Sequence, residues 1–462
     1  MLLRLGRSLA LLLITMIVVW LLVLGWWQSN DHSPGRGESL LYLVVLPLAL
    51  FGGFMLLRAF IDNLRSPPPP PAKAPEASAT ATAEPSAEDA AERTLQWAVL
   101  GEALECAAGS DAASVMAALA AGASPTPDKQ LKDADGFPAF TARVSGLDTD
   151  PVSEALASIG PVELWPETLL RSVALADGAL GTVLPVLRDL LEANPDAAPQ
   201  LRLVWRLESD PEAAVVNHLR QWLADTHLAE LPADAVHIDI AGADDTGALA
   251  LIDTLVRPVR RLETPTLVLA LASTSALSEA ALAHWQHQGR LFTPQHQQGQ
   301  LPGEAACALL LATPELAEAL GADAPVRLSR VNLKVRDKSA DAAGRISPAL
   351  CAGLVTELLE LAGLAPADLV ALVADCDHRA SRQGEALGVL DERFETLDPA
   401  ADYAPVGTVT GSCAPVGALL GLACATEWVR EKQAPVVALS VQHPTLRAAV
   451  LLTPAPQPDS PS

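Results

Sequence analysis

"GALALIDTLVRPVRRLETPTLVLALAS", residues 247–273, and "GALLGLACATEWVREKQAPVVALSV", residues 417–441, are written to one plan. Each opens on a small-residue helix start and runs to a basic helix end. Each then turns at Thr-Pro or Ala-Pro and continues as a near-continuous apolar run, the pattern of a strand buried on both faces of a sheet. The echo predicts a duplicated α/β architecture.

Working outward, apolar runs predict further strands at 201–207, 235–241, 265–272, 305–312, 326–335, 369–375, 435–441 and 447–452. Amphipathic stretches predict helices at 213–228, 247–261, 347–364 and 413–432. Strands alternating with helices are the mark of α/β layers. Half of the residues are hydrophobic but only 4% are aromatic, so aliphatic side chains must build the core.

Net charge is −24, from 55 acidic and 31 basic residues, and no Lys/Arg cluster offers the footprint that nucleic acid requires. The six cysteines (Cys106, Cys307, Cys351, Cys376, Cys413, Cys424) show no CxxC spacing, so they are read as reduced thiols and not as a zinc site or disulfide framework. No cofactor is expected. "HWQHQGRLFTPQHQQGQ" (284–300) carries His284, His287 and His296, a spacing that could hold a metal; lacking carboxylates and rich in Gln, it is read as a solvated loop.

The N-terminus has a different composition. Residues 9–27 and 40–57 are free of charge and about long enough to span a bilayer, predicting a two-helix hairpin anchor within 1–65. Arg4 and Arg7 before the first span, and Arg58, Arg65 and Lys73 after the second, place both ends in the cytoplasm of a bacterial inner membrane. Residues 66–92 begin with a proline run and read as a disordered tether. The globular part is expected in two halves, 93–300 and 301–455, with a disordered tail at 456–462.

The globular part resembles the thiolase fold, in its β-ketoacyl synthase branch. "LQWAVLGEALECAAGSDAASVMAALAAGASP" (95–125) resembles that family's opening strand, turn and helix. "LPGEAACALLLA" (301–312) resembles the strand that starts its second half, and "LLELAGLAPADLVALVADC" (358–376) the approach to its first catalytic His. "VGTVTGSCAPVGALLGLACATEWV" (406–429) resembles the loop and helix around its second. The resemblance implies αβαβα layers, dimerisation with itself or with a related chain, and acyl transfer through a Cys, two His and a Lys.

This sequence departs from that pattern at the nucleophile, the second His and the Lys, and leaves the first His open. Matching Gly247 to the family's helix start puts Asp244 where the nucleophile belongs; "TG" is followed by Ser412 and not His, and the Lys position is Gly407. The first His falls near Cys376, with His378 the only imidazole close by. Asp244 and Asp245 read as caps of the helix starting near Gly247. The chain is therefore expected not to be a ketosynthase. Cys376, His378 and Cys413 leave open a relocated Cys–His dyad.

Three functions are compatible with these residues. The first is an inactive, membrane-anchored protein-binding adaptor or scaffold, with a fainter resemblance to the adaptors that deliver lipases to type VI secretion machinery. The second is an acyl-binding or acyl-transferring enzyme with a relocated cysteine. The third is an inactive subunit paired with an active ketosynthase-like chain. The acidic charge argues against docking of an acidic acyl carrier protein.

Overall fold

The computed structural model describes residues 93–242, 249–250, 252–255, 259, 264–342 and 344–456, with a few positions among 20–47. The chain separates into two compact units, Met1–Glu84 and Pro85–Ser462, and the second carries the globular fold. The expected spans 9–27 and 40–57 fall almost wholly outside the described residues, and the tether 66–92, Asp244, Asp245 and Gly247 fall wholly outside them.

The first copy of the repeat supplies β1 (Trp97–Cys106), α1 (Ala112–Ala120), the hairpin β2 (Thr126–Lys132) and β3 (Pro138–Thr141), α2 (Asp150–Ile159) and α3 (Glu167–Ala193). It continues through β4 (Gln200–Leu207), α4 (Ala213–Thr226), β5 (Val236–Gly242), helical residues 249–250, 252–255 and 259, β6 (Thr266–Ser275), α5 (Glu279–His287) and β7 (Glu304–Ala312). After α6 (Pro314–Ala319) the second copy gives β8 (Val326–Leu328), β9 (Asn332–Val335), α7 (Ala349–Ala362), β10 (Ala371–Ala374), α8 (Ala380–Arg393) and β11 (Tyr403–Pro405). It ends with the short α9 (Gly407–Thr410), α10 (Gly417–Lys432), β12 (Val436–Ser440) and β13 (Leu446–Pro454).

Strand pairing shows the duplication directly. In the first copy β5 and β6 flank β4 in parallel, and β6, β7 and β1 follow one another antiparallel. In the second, β11 and β12 flank β10 in parallel, and β12, β13 and the β8–β9 strand follow antiparallel. The two orders are the same, and β1 pairs with β8 to join them into one eleven-stranded sheet.

The alternation of side chains along the strands sets the layers. Val268, Ala270, Cys307, Leu309, Val373, Ala438 and Val450 share one core with Ile252, Leu255 and α10, so the helices that follow β5 and β11 lie between the two copies. Leu269, Leu271, Ala308 and Leu310 face the opposite way onto α3 and α4. In the second copy Leu372, Ala374, Val437 and Leu451 face α7 and α8. Helix, sheet, helix, sheet, helix is the expected order.

Several expectations are corrected. The strand at 301–312 closes the first copy instead of opening the second, because β7 pairs with β6 and β1; the repeat boundary therefore lies beyond Ala312 and not at 300. The run 326–335 is broken at Ser329–Val331, where Asp253 accepts from Arg330 and, at 3.1 Å, from Val331 N. Residues 279–287 are helical, with Ser278 Oγ accepting from Ala281 N, so only the later part of 284–300 is a loop. The helix expected at 413 begins at Gly417. α3, missed in the sequence, is apolar and long enough to cross a membrane, yet Val173, Leu180, Val183 and Leu187 bury it on the sheet.

Candidate functional site

A cavity of about 1500 Å³ opens where β10 and β12 end, bordered by the loop 411–415, the starts of α8 and α10, and the loops 289–300 and 340–348. Open α/β sheets place ligands beyond the carboxyl ends of their parallel strands for the same geometric reason.

The loop from α9 to α10 forms one wall. Gly303, at the entry to β7, lets it approach: a Cβ there would overlap Thr410 O. Ser412 N donates to Leu301 O at 2.7 Å, fixing the loop against the residues before β7. Ser412 and Cys413 both line the cavity. Cys413 is nevertheless buried, its Sγ 2.9 Å from Thr410 O, and burial pushes its thiol well above the usual range.

Gly407 sits under the end of β10. A Cβ on it would lie 2.5 Å from Asp375 O and 2.6 Å from Cys376 O, so this position holds no side chain without backbone movement. Burial also raises the Cys376 thiol, whose Sγ lies 2.9 Å from Tyr403 Oη; Tyr403 Oη in turn donates to Gln383 Oε1 at 3.2 Å. His378 packs edge-on against Phe292, ring centroids 5.2 Å apart, with Nε2 3.3 Å from Gln297 O.

The dyad left open by the sequence is not assembled. Cys376 belongs to the outer core with α7 and α8, whereas Cys413 belongs to the core between the copies, so the sheet separates them. His378 bonds to neither and does not line the cavity. Asp244 lies outside the described residues.

The charged groups at the cavity's base are ones that no sequence motif singles out. Asp375 accepts from Ser440 Oγ at 2.5 Å, Val441 N at 2.7 Å and Gln442 N at 3.2 Å; burial outweighs these donors and raises its carboxyl above the usual range. Behind it, the fully buried Glu385 accepts from Arg447 Nε at 3.0 Å and Nη2 at 2.8 Å, and from Arg336. Arg379 and Arg382 converge on Asp341. The only sequence signal is the spacing in "DHRASR" (377–382), which puts two arginines on one side of a helix start.

Among the described residues no three His, Cys, Asp or Glu side chains are placed to hold a metal ion. His284 Nε2 lies 2.8 Å from Gln288 Nε2 on α5, and His296 borders the cavity from its loop.

Known structures share this arrangement of layers. The oxazolomycin ketosynthase domain of Streptomyces albus is 15% identical with a TM-score of 0.55, over 80% of this chain and 75% of that one. The ishigamide ketosynthase/chain length factor is 16% identical with a TM-score of 0.51, over 78% of this chain and 99% of that one. A β-ketoacyl synthase from Burkholderia phymatum is 13% identical with a TM-score of 0.52, over 78% of this chain and all of that one. The fold is that of the thiolase-like ketosynthases. No protein-family model matches the chain, and no curated protein matches it.

Proposed function

We propose that this chain is a ketosynthase-fold protein without thioester chemistry, held at a bacterial inner membrane by 9–27 and 40–57, which serves as a binding scaffold for another protein. The observation that carries the reading is the packing of Gly407: the residue matched to the family's Lys faces two backbone oxygens at distances no Cβ tolerates. Ser412 at the second His position and the protonated, buried thiols of Cys376 and Cys413 support it. A function as an adaptor in a secretion system is the specific form of this reading. The positive-inside assignment puts the domain on the cytoplasmic face, which disfavours a periplasmic role.

Two alternatives each have one observation in their favour. Cys413 lines the cavity, which suits a relocated nucleophile. The similarity to a ketosynthase/chain length factor suits an inactive subunit beside an active partner, as a heterodimer or within a homodimer.

Intact-mass spectrometry of the full chain after incubation with acyl-CoA tests the reading. The expected result is no adduct, with every thiol reacting with a maleimide only on unfolding. An acyl adduct on Cys413 overturns it in favour of the enzyme, and co-purification with an active ketosynthase overturns it in favour of the subunit.

A further inference from the structure

Arg379, which borders the cavity, and Arg382, fully buried behind it, share a partner that comes from a loop. Arg379 precedes α8 and Arg382 lies in its first turn, 4% and 0% exposed respectively. Arg379 Nε donates to Asp377 Oδ1 and Oδ2 at 3.0 and 2.9 Å, and its Nη2 donates to Gln442 Oε1 at 3.0 Å. Arg382 Nη2 donates to Gln442 O at 3.2 Å. Nη1 of each points at one atom, Asp341 Oδ1, 3.4 Å from Arg379 and 2.5 Å from Arg382, and Arg382 Nη1 also donates to Ser381 Oγ at 3.0 Å.

Asp341 differs from the other acids of this network. Glu385 and Asp377 are fully buried, whereas the Asp341 side chain is 50% exposed and borders the cavity. It rides on residues 336–342, which form neither helix nor strand and are tied to the loop before β13 through Arg336 N to Thr445 O and Ala340 N to Pro444 O. Arg382 Nε is buried and has no hydrogen-bond partner among the described residues. A buried guanidinium with an unused donor, and a paired one, both reaching a cavity through a single exposed carboxylate oxygen, have the arrangement of an anion site whose occupant is replaceable.

We propose that Arg379 and Arg382 form a seat for the phosphate of a ligand that lies in the cavity, and that Asp341 fills this seat in the ligand-free protein. Two Nη1 groups converging from different guanidiniums can be shared among the three oxygens of a phosphate. The cavity is far larger than phosphate needs, and Ile346, Pro348, Leu387 and Leu446 give the rest of the ligand an apolar wall. The seat does not depend on whether any thiol is acylated, so the two proposals fail separately.

The test is isothermal titration of the full chain with inorganic phosphate. Asp341→Asn, whose plug carries no charge, binds phosphate at least about tenfold more tightly than the wild type, and adding Arg379→Gln removes the gain. Equal affinities for wild type and Asp341→Asn, or a gain that survives Arg379→Gln, overturn the proposal. Should Asp341→Asn melt early, wild type and Arg379→Gln are compared by thermal shift: phosphate raises the midpoint of the first alone, and an equal response overturns the seat. Glycerol 3-phosphate and lysophosphatidic acid then separate the sources. Tighter binding of the lipid assigns an amphiphile, equal binding a soluble phosphomonoester, and failure of both overturns the assignment.

Discussion

Replacing Gly407 with Ala tests whether the position matched to the family's Lys is sterically closed. The new Cβ would stand 2.5 Å from Asp375 O and 2.6 Å from Cys376 O. Ordinary carbon–oxygen contacts begin near about 3.3 Å, so the overlaps are roughly 0.8 and 0.7 Å. Both oxygens belong to the backbone just beyond β10, a strand paired on both sides by β11 and β12, so they have little room to retreat. Overpacking of this kind costs about 1–3 kcal/mol, and two backbone contacts put it at the upper end. Against it, Ala is favoured over Gly in a helical turn by about 1 kcal/mol. The net expectation is a loss of about 2 kcal/mol, the opposite sign from helix propensity alone. Urea unfolding followed by circular dichroism should show a lower midpoint at an unchanged m value. A Gly407→Ala protein within about 0.5 kcal/mol of wild type would refute the reasoning, since the backbone would then have moved aside and Lys at this position would be feasible.

Other outcomes concern the charged and thiol groups. Glu385→Gln leaves Arg447 buried without its carboxylate and should cost about 3 kcal/mol by denaturant midpoint; a loss under about 1 kcal/mol would show the pair to be dispensable. Asp128 is opposed by its own burial, but hydrogen bonds from Arg143, Gln130 N, Thr141 and Leu131 N draw its carboxyl down to about 2. Its folded value lies below the unfolded one, so its stabilisation is complete above about pH 4 and disappears as pH falls through about 2. The stability gap between wild type and Asp128→Asn should therefore narrow over that window, and a gap independent of pH would exclude the assignment. The Cys106 thiol, pushed up to about 11 chiefly by burial, should resist maleimide at neutral pH; rapid labelling of the folded chain would contradict its placement.

The duplication was legible because helix, turn and buried strand repeat with the same small and basic residues at 247–273 and 417–441. What the sequence concealed has physical causes. α3 carries Gly178, Gly181 and Pro185, and its buried face is padded with Ala, so its periodicity is faint. β11 has three residues, too few for a pattern. The break between β8 and β9 is set by Asp253, some eighty residues away, and no local signal announces it. In the site, Gly407 and Ser412 were singled out from the sequence as the residues matched to the resembled family's Lys and second His, and both fall on the loop and short helix that border the cavity's end of β10. Arg379, Arg382 and Asp341 were not, because their relation is spatial: the loop, the helix start and Gln442 meet only in the folded chain.

The layers constrain what chemistry this cavity could still support. Of the two cysteines near the cavity, Cys376 packs with the outer helices and Cys413 in the core between the copies, so they lie in different layers. A nucleophile here would therefore be Cys413 alone, and it would need a base from the cavity wall. Asp375, just past β10, is an acid on that wall, but its oxygens are already occupied by Ser440, Val441 and Gln442, and burial holds it toward the neutral form. No hydrogen bond joins Asp375 to the Cys413 thiol, whose Sγ is turned to Thr410 O. The arginines offer the opposite asset, fixed positive charge with one replaceable partner, which suits holding an anion better than cleaving a thioester. The proposed anion seat therefore uses groups at the same sheet ends that border the cavity, and it asks nothing of either thiol.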